Sequence, residues 1–359
     1  MPKFIVLIAL FATCHAYASP NEAERVKRAY ELSSETWELK LKIAQTPAEK
    51  QTLWENRPDP AVTATELWRN IAPSLEQDWT IPYAAFFLNI TRNLTAVRPD
   101  GNVGPAFAQE RQRIIKTFTE SHLKKPGIGA FCIALADSGE PHALPLLEKI
   151  ITENPDKVTQ GVAALGAALL LKNIGDAPEV MKKRLNYLRL AIINAADQTI
   201  GSASVADIAA DELYVIRYLS KGRVAPNFSG SDVGSRVVQL SDFKGKVTIV
   251  LFWDAKTAET DKVIQLTNRL VDKYVGKPVE IIGITPESLA RIRELQADGT
   301  IKWNNIIDST EKIAGEYKIT ARPLLIVLNE TGTIEYTGLP GSFVDLTVDA
   351  LLEGSTAEK

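Results

Sequence analysis

The chain has little sulfur and little imidazole. Its 359 residues include two cysteines, two methionines and three histidines. Cys14 lies in an N-terminal apolar stretch, and the other cysteine is Cys132. A chain that keeps only Cys132 once its leader is removed has no second thiol, so no intramolecular disulfide is expected. His122 and His142 are isolated from each other and from any cysteine, which excludes the usual histidine-based metal spacings. No metal and no cofactor are expected. Positive charge is not in excess either: 41 Lys and Arg stand against 44 Asp and Glu, for a formal net charge of -3. The longest basic cluster, Lys182-Lys183-Arg184, reads as a solvated helix face, and no nucleic-acid surface is expected. Beyond the N-terminus no apolar run reaches membrane-spanning length.

Residues 1–18 have the organisation of a secretory leader: Lys3 in a short basic segment, an apolar stretch from Phe4 to Thr13, and Ala16-Tyr17-Ala18 as a small-x-small cleavage site. Cleavage there starts the mature chain near Ser19 and places it across the inner membrane, in the periplasm or outside the cell. An uncleaved anchor is the alternative. A lipoprotein role for Cys14 fits poorly, because Phe11 and Thr13 stand where a leucine and a small residue are wanted. Cys132, inside the apolar run GAFCIALA, is expected to be buried and inert.

Residues 19–222 read as all-helical. NEAERVKRAYELSSETWELKLKIAQ is amphipathic, and Pro58, Pro60, Pro73 and Pro82 cut the following stretch into short pieces. Residues 98–105 read as a loop. Trp54, Trp68 and Trp79 read as packing residues. From 126 to 222 a scheme repeats. An Ala-rich helix, Gly139-Glu140-Pro141 and a Leu-rich helix are followed by an Ala-rich helix, Gly175-Asp176-Ala177-Pro178 and another Leu-rich helix. The pattern resembles HEAT-like helix pairs, with a plain helical domain as the alternative. His142, just after Pro141, reads as a helix cap.

At 223 the composition changes. VTIVLFW is a continuous apolar run suited to a strand buried on both faces. ETDKVIQLTNRLVDKYV is helical, VEIIGIT is a second buried strand, PESLARIRELQAD is helical, WNNIID is extended and TEKIAGEYKI is a short helix. RPLLIVLNETGTIEYTGLP reads as strand, turn, strand. The expected fold class is α + α/β: a helical region over 19–222, then an α/β domain with a mixed sheet over 223–355.

Over roughly 224–350, VAPNFSGSD, VVQLSDFKGKVTIVLFWDA and NETGTIEY resemble the thioredoxin-like redoxin family, in its AhpC/TSA and thiol-disulfide oxidoreductase branch. The Gly245-Lys246 pair, Phe252-Trp253 and Pro323 occupy family positions. The resemblance implies a thioredoxin-like sheet flanked by helices, with a reactive Cys-x-x-Cys at a helix N-terminus where exposed N–H groups favour the thiolate. Aligned on Phe252-Trp253, the two cysteine positions fall on Thr257 and Thr260, and no cysteine occurs after Cys132. A threonine hydroxyl cannot take part in disulfide exchange. Leu251, Val263 and Gln265 also stand where the family often has acidic, glutamate and proline residues. The resemblance further implies a cis peptide at Pro323 and a groove formed by Trp253, Asp254, Glu259, Arg322 and Pro323. Arg322 departs from the small or β-branched residues common there and is expected to face Asp254 or Glu259 across the former active site, with a solvent-pointing side chain as the alternative.

Three functions follow as expectations. The first is an extracytoplasmic, redox-inactive module that binds a polypeptide partner. The second, implied by the family, is a thiol-disulfide oxidoreductase or peroxiredoxin-type antioxidant activity. The third is an envelope protein that acts through its helical repeats.

Overall fold

The computed structural model describes residues 19–44, 46–97, 101–175, 177–255 and 260–357. The expected leader with Cys14, and the positions Thr257 and Glu259, lie outside the described residues. The chain divides into two compact units, Met1–Ala209 and Ala210–Lys359.

The first unit is helical, and its prolines begin helices instead of ending them. Helices α1 (Pro20–Ile43), α2 (Pro47–Glu55) and α3 (Pro60–Ile71) each carry proline in the first turn, where its missing N–H leaves nothing unbonded. Ser19, Thr46 and Asp59 precede them as side-chain N-caps, and Thr46 with Glu49 completes a capping box. Helix α4 (Ile81–Thr91) is apolar all round and buried. Its Phe87 packs against Trp68 at 5.4 Å between ring centroids. Trp54, read as a packing residue, stacks edge-on to Trp37 yet stays 45% exposed. Within the segment read as a loop over 98–105, Val103–Pro105 instead form β2, which pairs with β1 (Thr95–Val97). Two three-residue strands with exposed side chains give no periodic signal, which is why the sequence pattern does not show them.

Helix α5 (Ala108–Thr117) is followed by a π-turn over Phe118–His122. Arg111 on α5 is 3% exposed and meets Glu140, 9% exposed, at 2.9 Å. Its guanidinium also donates to the Thr91 carbonyl. A buried pair of this kind stabilises little against an apolar replacement but is severe to break on one side. It anchors the Gly-Glu-Pro turn between α6 (Gly129–Asp137) and α7 (Ala143–Glu153). His142 sits at the N-cap of α7, but its ring makes no capping bond there, which corrects the capping role read from the sequence.

The second pair is α8 (Lys157–Lys172) and α9 (Pro178–Ala195). Gly139 and Gly175 follow α6 and α8 at φ +71° and +135°, the left-handed region in which glycine ends a helix without strain. Small residues let α8 approach its neighbours. A Cβ on Gly161 would lie 2.5 Å from the Ala195 Cβ, and one on Gly166 would lie 2.9 Å from the Cys132 carbonyl. Cys132 is wholly buried at that contact. Short strands β3 (Thr199–Ile200) and β4 (Ala203–Ser204) form a small hairpin before α10 (Val205–Tyr214) and a π-turn over Val215–Leu219.

The second unit opens with a hairpin of β5 (Ser229–Ser231) and β6 (Val237–Gln239). The Asp232 carboxylate closes it by accepting from the Arg236 backbone N–H at 2.8 Å and from its Nε at 2.9 Å. Then follow β7 (Val247–Phe252), α11 (Thr260–Lys273), β8 (Val279–Thr285), α12 (Leu289–Ala297), β9 (Asn304–Ile307), α13 (Lys312–Glu316), β10 (Leu324–Leu328), β11 (Ile334–Gly338) and α14 (Ser342–Ala357). The sheet runs β11-β10-β7-β8-β9. Strands β7, β8 and β9 are parallel, while β10 is antiparallel to both β7 and β11. Every residue of β7 is buried. Val247, Ile249, Leu251 and Trp253 share a core with Val263, Leu270, Ile292 and Val344, so α11, α12 and α14 cover that face. Val250 and Phe252 share the opposite core with Ile284, Ile306, Ile313 and Tyr317, which α13 covers together with Phe228 of the entry segment. This sheet, flanked by helices on both faces and preceded by a helical unit, is the α + α/β, thioredoxin-like arrangement expected from the sequence.

Replacing Gly by Ala inside a helix ordinarily stabilises it by about 1 kcal/mol. At Gly161 the sign should reverse, because the added Cβ collides with α9: Gly161→Ala is expected to lower stability by about 1–3 kcal/mol in urea denaturation followed by far-ultraviolet circular dichroism.

Candidate functional site

The carboxyl ends of β7, β8 and β9 lie at one pole of the sheet, together with the start of β10 and the end of β11. In open α/β sheets this is where side chains and loops converge on ligands. The strands deliver Trp253-Asp254-Ala255, Pro286-Glu287, Asp308, Arg322-Pro323 and Gly338-Leu339 to that pole.

Trp253, expected to line the groove, is not on the surface: it is 1% exposed and belongs to the core. Its Nε1 donates to the Asn305 Oδ1 at 2.9 Å, and its ring meets Trp303 edge-on at 5.4 Å. Asn305 Nδ2 in turn donates to the Trp303 carbonyl at 3.0 Å. Gly283 makes room for this cluster. A Cβ there would collide with Asn305 Oδ1 and stand 2.7 Å from Trp303 Nε1, a buried N–H with no partner of its own. A large amphipathic ring with one bonded N–H packs well in a core, and this overrides its place next to the site loop.

Thr260 opens α11, and its hydroxyl donates to the Asp254 carbonyl at 3.1 Å. A side chain at a position where the family resemblance implies a thiol thus serves as a backbone staple. The Ala255 N–H donates to Glu287 Oε1 at 3.2 Å, and the Glu287 backbone N–H reaches the Thr285 hydroxyl. Glu287, 8% exposed, therefore holds the loop that leaves β7. Asp308 accepts from the Ile313 and Ala314 N–H groups at 3.2 and 2.9 Å and fixes the start of α13.

The Arg322-Pro323 peptide is cis, as the resemblance implies. The guanidinium of Arg322 does not reach either expected partner: Glu259 lies outside the described residues, and the carboxylate at Arg322 is Glu311, with Nη2 to Oε2 at 3.2 Å, not Asp254. The physical reason is positional. Glu311 sits at φ +55°, directly before α13, on the loop that follows β9, and this turns it toward the start of β10. The Arg322 side chain is 15% exposed and Glu311 54%. The Nε of Arg322 is buried without a partner.

Sequence reasoning found Asp254, Thr260, Arg322 and Pro323 at this pole and missed Glu287, Asn305, Gly283 and Glu311. Position after a buried strand was the available signal for Glu287. Nothing in the local pattern marks the Asn305 and Glu311 pairings, which join residues on different elements. Among the described residues, no group of three His, Cys, Asp or Glu is placed to hold a metal ion. Cys132 belongs to the other unit, where burial pushes its thiol up to about 12, far from thiolate formation at neutral pH.

Residues 221–337 match the model of the AhpC/TSA family. Among curated proteins, the thiol-disulfide oxidoreductase ResA of Bacillus thuringiensis (strain Al Hakam) is 26% identical over 155 residues, 43% of this chain and 87% of that protein. Peroxiredoxin Q, chloroplastic, of Oryza sativa subsp. japonica is 28% identical over 126 residues, 33% of this chain and 58% of that protein. Among solved structures, the thioredoxin domain of a thiol-disulfide oxidoreductase from Bacteroides vulgatus is 25% identical, with a TM-score of 0.34, covering 37% of this chain and 98% of that domain. No described helix is long and apolar enough to cross a membrane.

The buried amide and the half-exposed hydroxyl should differ in effect. Asn305→Leu strands the Trp253 N–H in the core and is expected to lower stability by about 1–3 kcal/mol, whereas Thr260→Val removes a half-exposed hydroxyl and its bond to the Asp254 carbonyl, for about 1 kcal/mol. Urea midpoints of the two variants check the ordering.

Proposed function

We propose that the protein is an extracytoplasmic, redox-inactive thioredoxin-like module that binds a polypeptide segment at the pole formed by Asp254, Arg322, Pro323 and Leu339. One observation carries the reading: no cysteine exists from 133 to 359, and Thr260, where a thiol is implied, is engaged with the Asp254 carbonyl. Fold alone does not confer the chemistry of its relatives, because function resides in the site. The remaining thiol, Cys132, is buried against α8 and has no access to a substrate disulfide. Exposed apolar side chains support a docking role for the pole. Leu339 and Phe343 are 68% and 70% exposed, next to the sheet edge where an extended segment can lie. Export rests on the leader-like pattern of residues 1–18.

The competing reading is the thiol-disulfide exchange for which the similar oxidoreductases are named. An insulin-reduction assay on the mature chain, with Cys132→Ser beside it, separates the two. The expected result is no turnover by either form, and no reaction of Cys132 with a thiol reagent until the chain is unfolded. Turnover by the mature chain that disappears in Cys132→Ser would overturn the proposal.

A further inference from the structure

We infer that the segment bound at this pole carries an acidic side chain, that Arg322 receives its carboxylate, and that Glu311 occupies Arg322 as an internal stand-in until the ligand arrives. This deepens the proposed function and rests on it.

Arg322 is the cation that the pole presents at the start of β10, immediately before Pro323. Its side chain is largely buried, so the guanidinium is held in place and loses little freedom on binding. Yet among the described residues the bond given for this guanidinium is the one from Nη2. Nη2 meets Glu311, Nε has no partner among the described residues, and a planar fork that suits two carboxylate oxygens is engaged at one nitrogen.

The carboxylates nearby are not interchangeable. Glu287 is engaged with the Ala255 N–H, and Asp308 with the first N–H groups of α13. Asp254 also has a partner of its own. Glu311 differs from these. Its recorded side-chain partner is Arg322, it is more than half exposed, and it sits in the left-handed region that a glutamate seldom adopts. An ion pair with one partner in solvent contributes little, so exchanging the Glu311 carboxylate for a ligand carboxylate is nearly neutral. The gain comes from water excluded around the new pair and from the apolar contacts beside it. The register supplies those contacts: Leu325 lies opposite Gly338, which puts Leu339 beside Leu324, one residue beyond Pro323. An extended chain crossing this end of the sheet would set one side chain on Leu339 and a neighbouring one on Arg322.

The test is selection from a random octapeptide phage library on the mature full-length chain and on the variants Arg322→Ala and Glu311→Gly, glycine being chosen because it accepts the backbone at 311. Recovered peptides should be enriched in Asp and Glu. That enrichment should vanish with Arg322→Ala, while a selected acidic peptide should bind Glu311→Gly more tightly than the parent chain. Changing the peptide's acidic residue to its amide should weaken binding to the parent about tenfold. If Arg322→Ala does not fold by circular dichroism, Arg322→Gln takes its place. Enrichment of neutral or basic sequences, unchanged by Arg322→Ala, would overturn the inference and leave the binding module standing. No enrichment on any form would overturn both.

Discussion

The second unit depends on the burial of one strand from both sides. All six residues of β7 are sequestered, and Trp253 directly after it is too. Alternation sends Val247, Ile249, Leu251 and Trp253 into one core and Val250 and Phe252 into the other. A one-residue slip would exchange the two sets, so register is fixed by packing alone. Once β7 is central, the parallel β8 and β9 and the antiparallel β10 and β11 have defined places beside it. The pole where their ends meet follows from that, with Leu324 opposite Phe252 and Leu339 beside Leu324 on the far side of β10.

Much of this was legible in the chain. The continuous apolar run VTIVLFW announced a strand covered on both faces, because such runs lack the alternation of half-exposed strands. The Gly-containing turns at 139 and 175 marked helix ends, since glycine enters the left-handed region that ends a helix. The pairings across the fold were not legible. Trp253 and Asn305 are 52 positions apart, and Arg322 and Glu311 lie on successive elements with no shared period. Periodicity reports which face of an element is apolar, but not which polar group on another element will meet it. The family resemblance, too, implies a groove position for Trp253, whose indole belongs to the core, and the expectation that Arg322 faces Asp254 or Glu259 gives way to Glu311, brought by the loop before α13.

A hydroxyl at Thr260, where the family resemblance implies a thiol, alters what the pole can do. A thiol at a helix start is held ready by exposed N–H groups and the helix dipole. The Thr260 hydroxyl stays neutral and turns back to the Asp254 carbonyl, so it closes the loop and does not present a nucleophile. Glu287 holds Ala255 and Asp308 holds α13, so the surroundings are ordered by bonds to backbone.

The central claim is that a polypeptide is bound at this end of the sheet. Amide hydrogen exchange on the full chain, with and without a library-selected octapeptide, tests it most directly. The account predicts slowed exchange at Arg322, at Leu324 and from Thr337 to Leu339, with the helices over 126–195 unchanged. Protection confined to those helices, with the sheet pole unaffected, would contradict it.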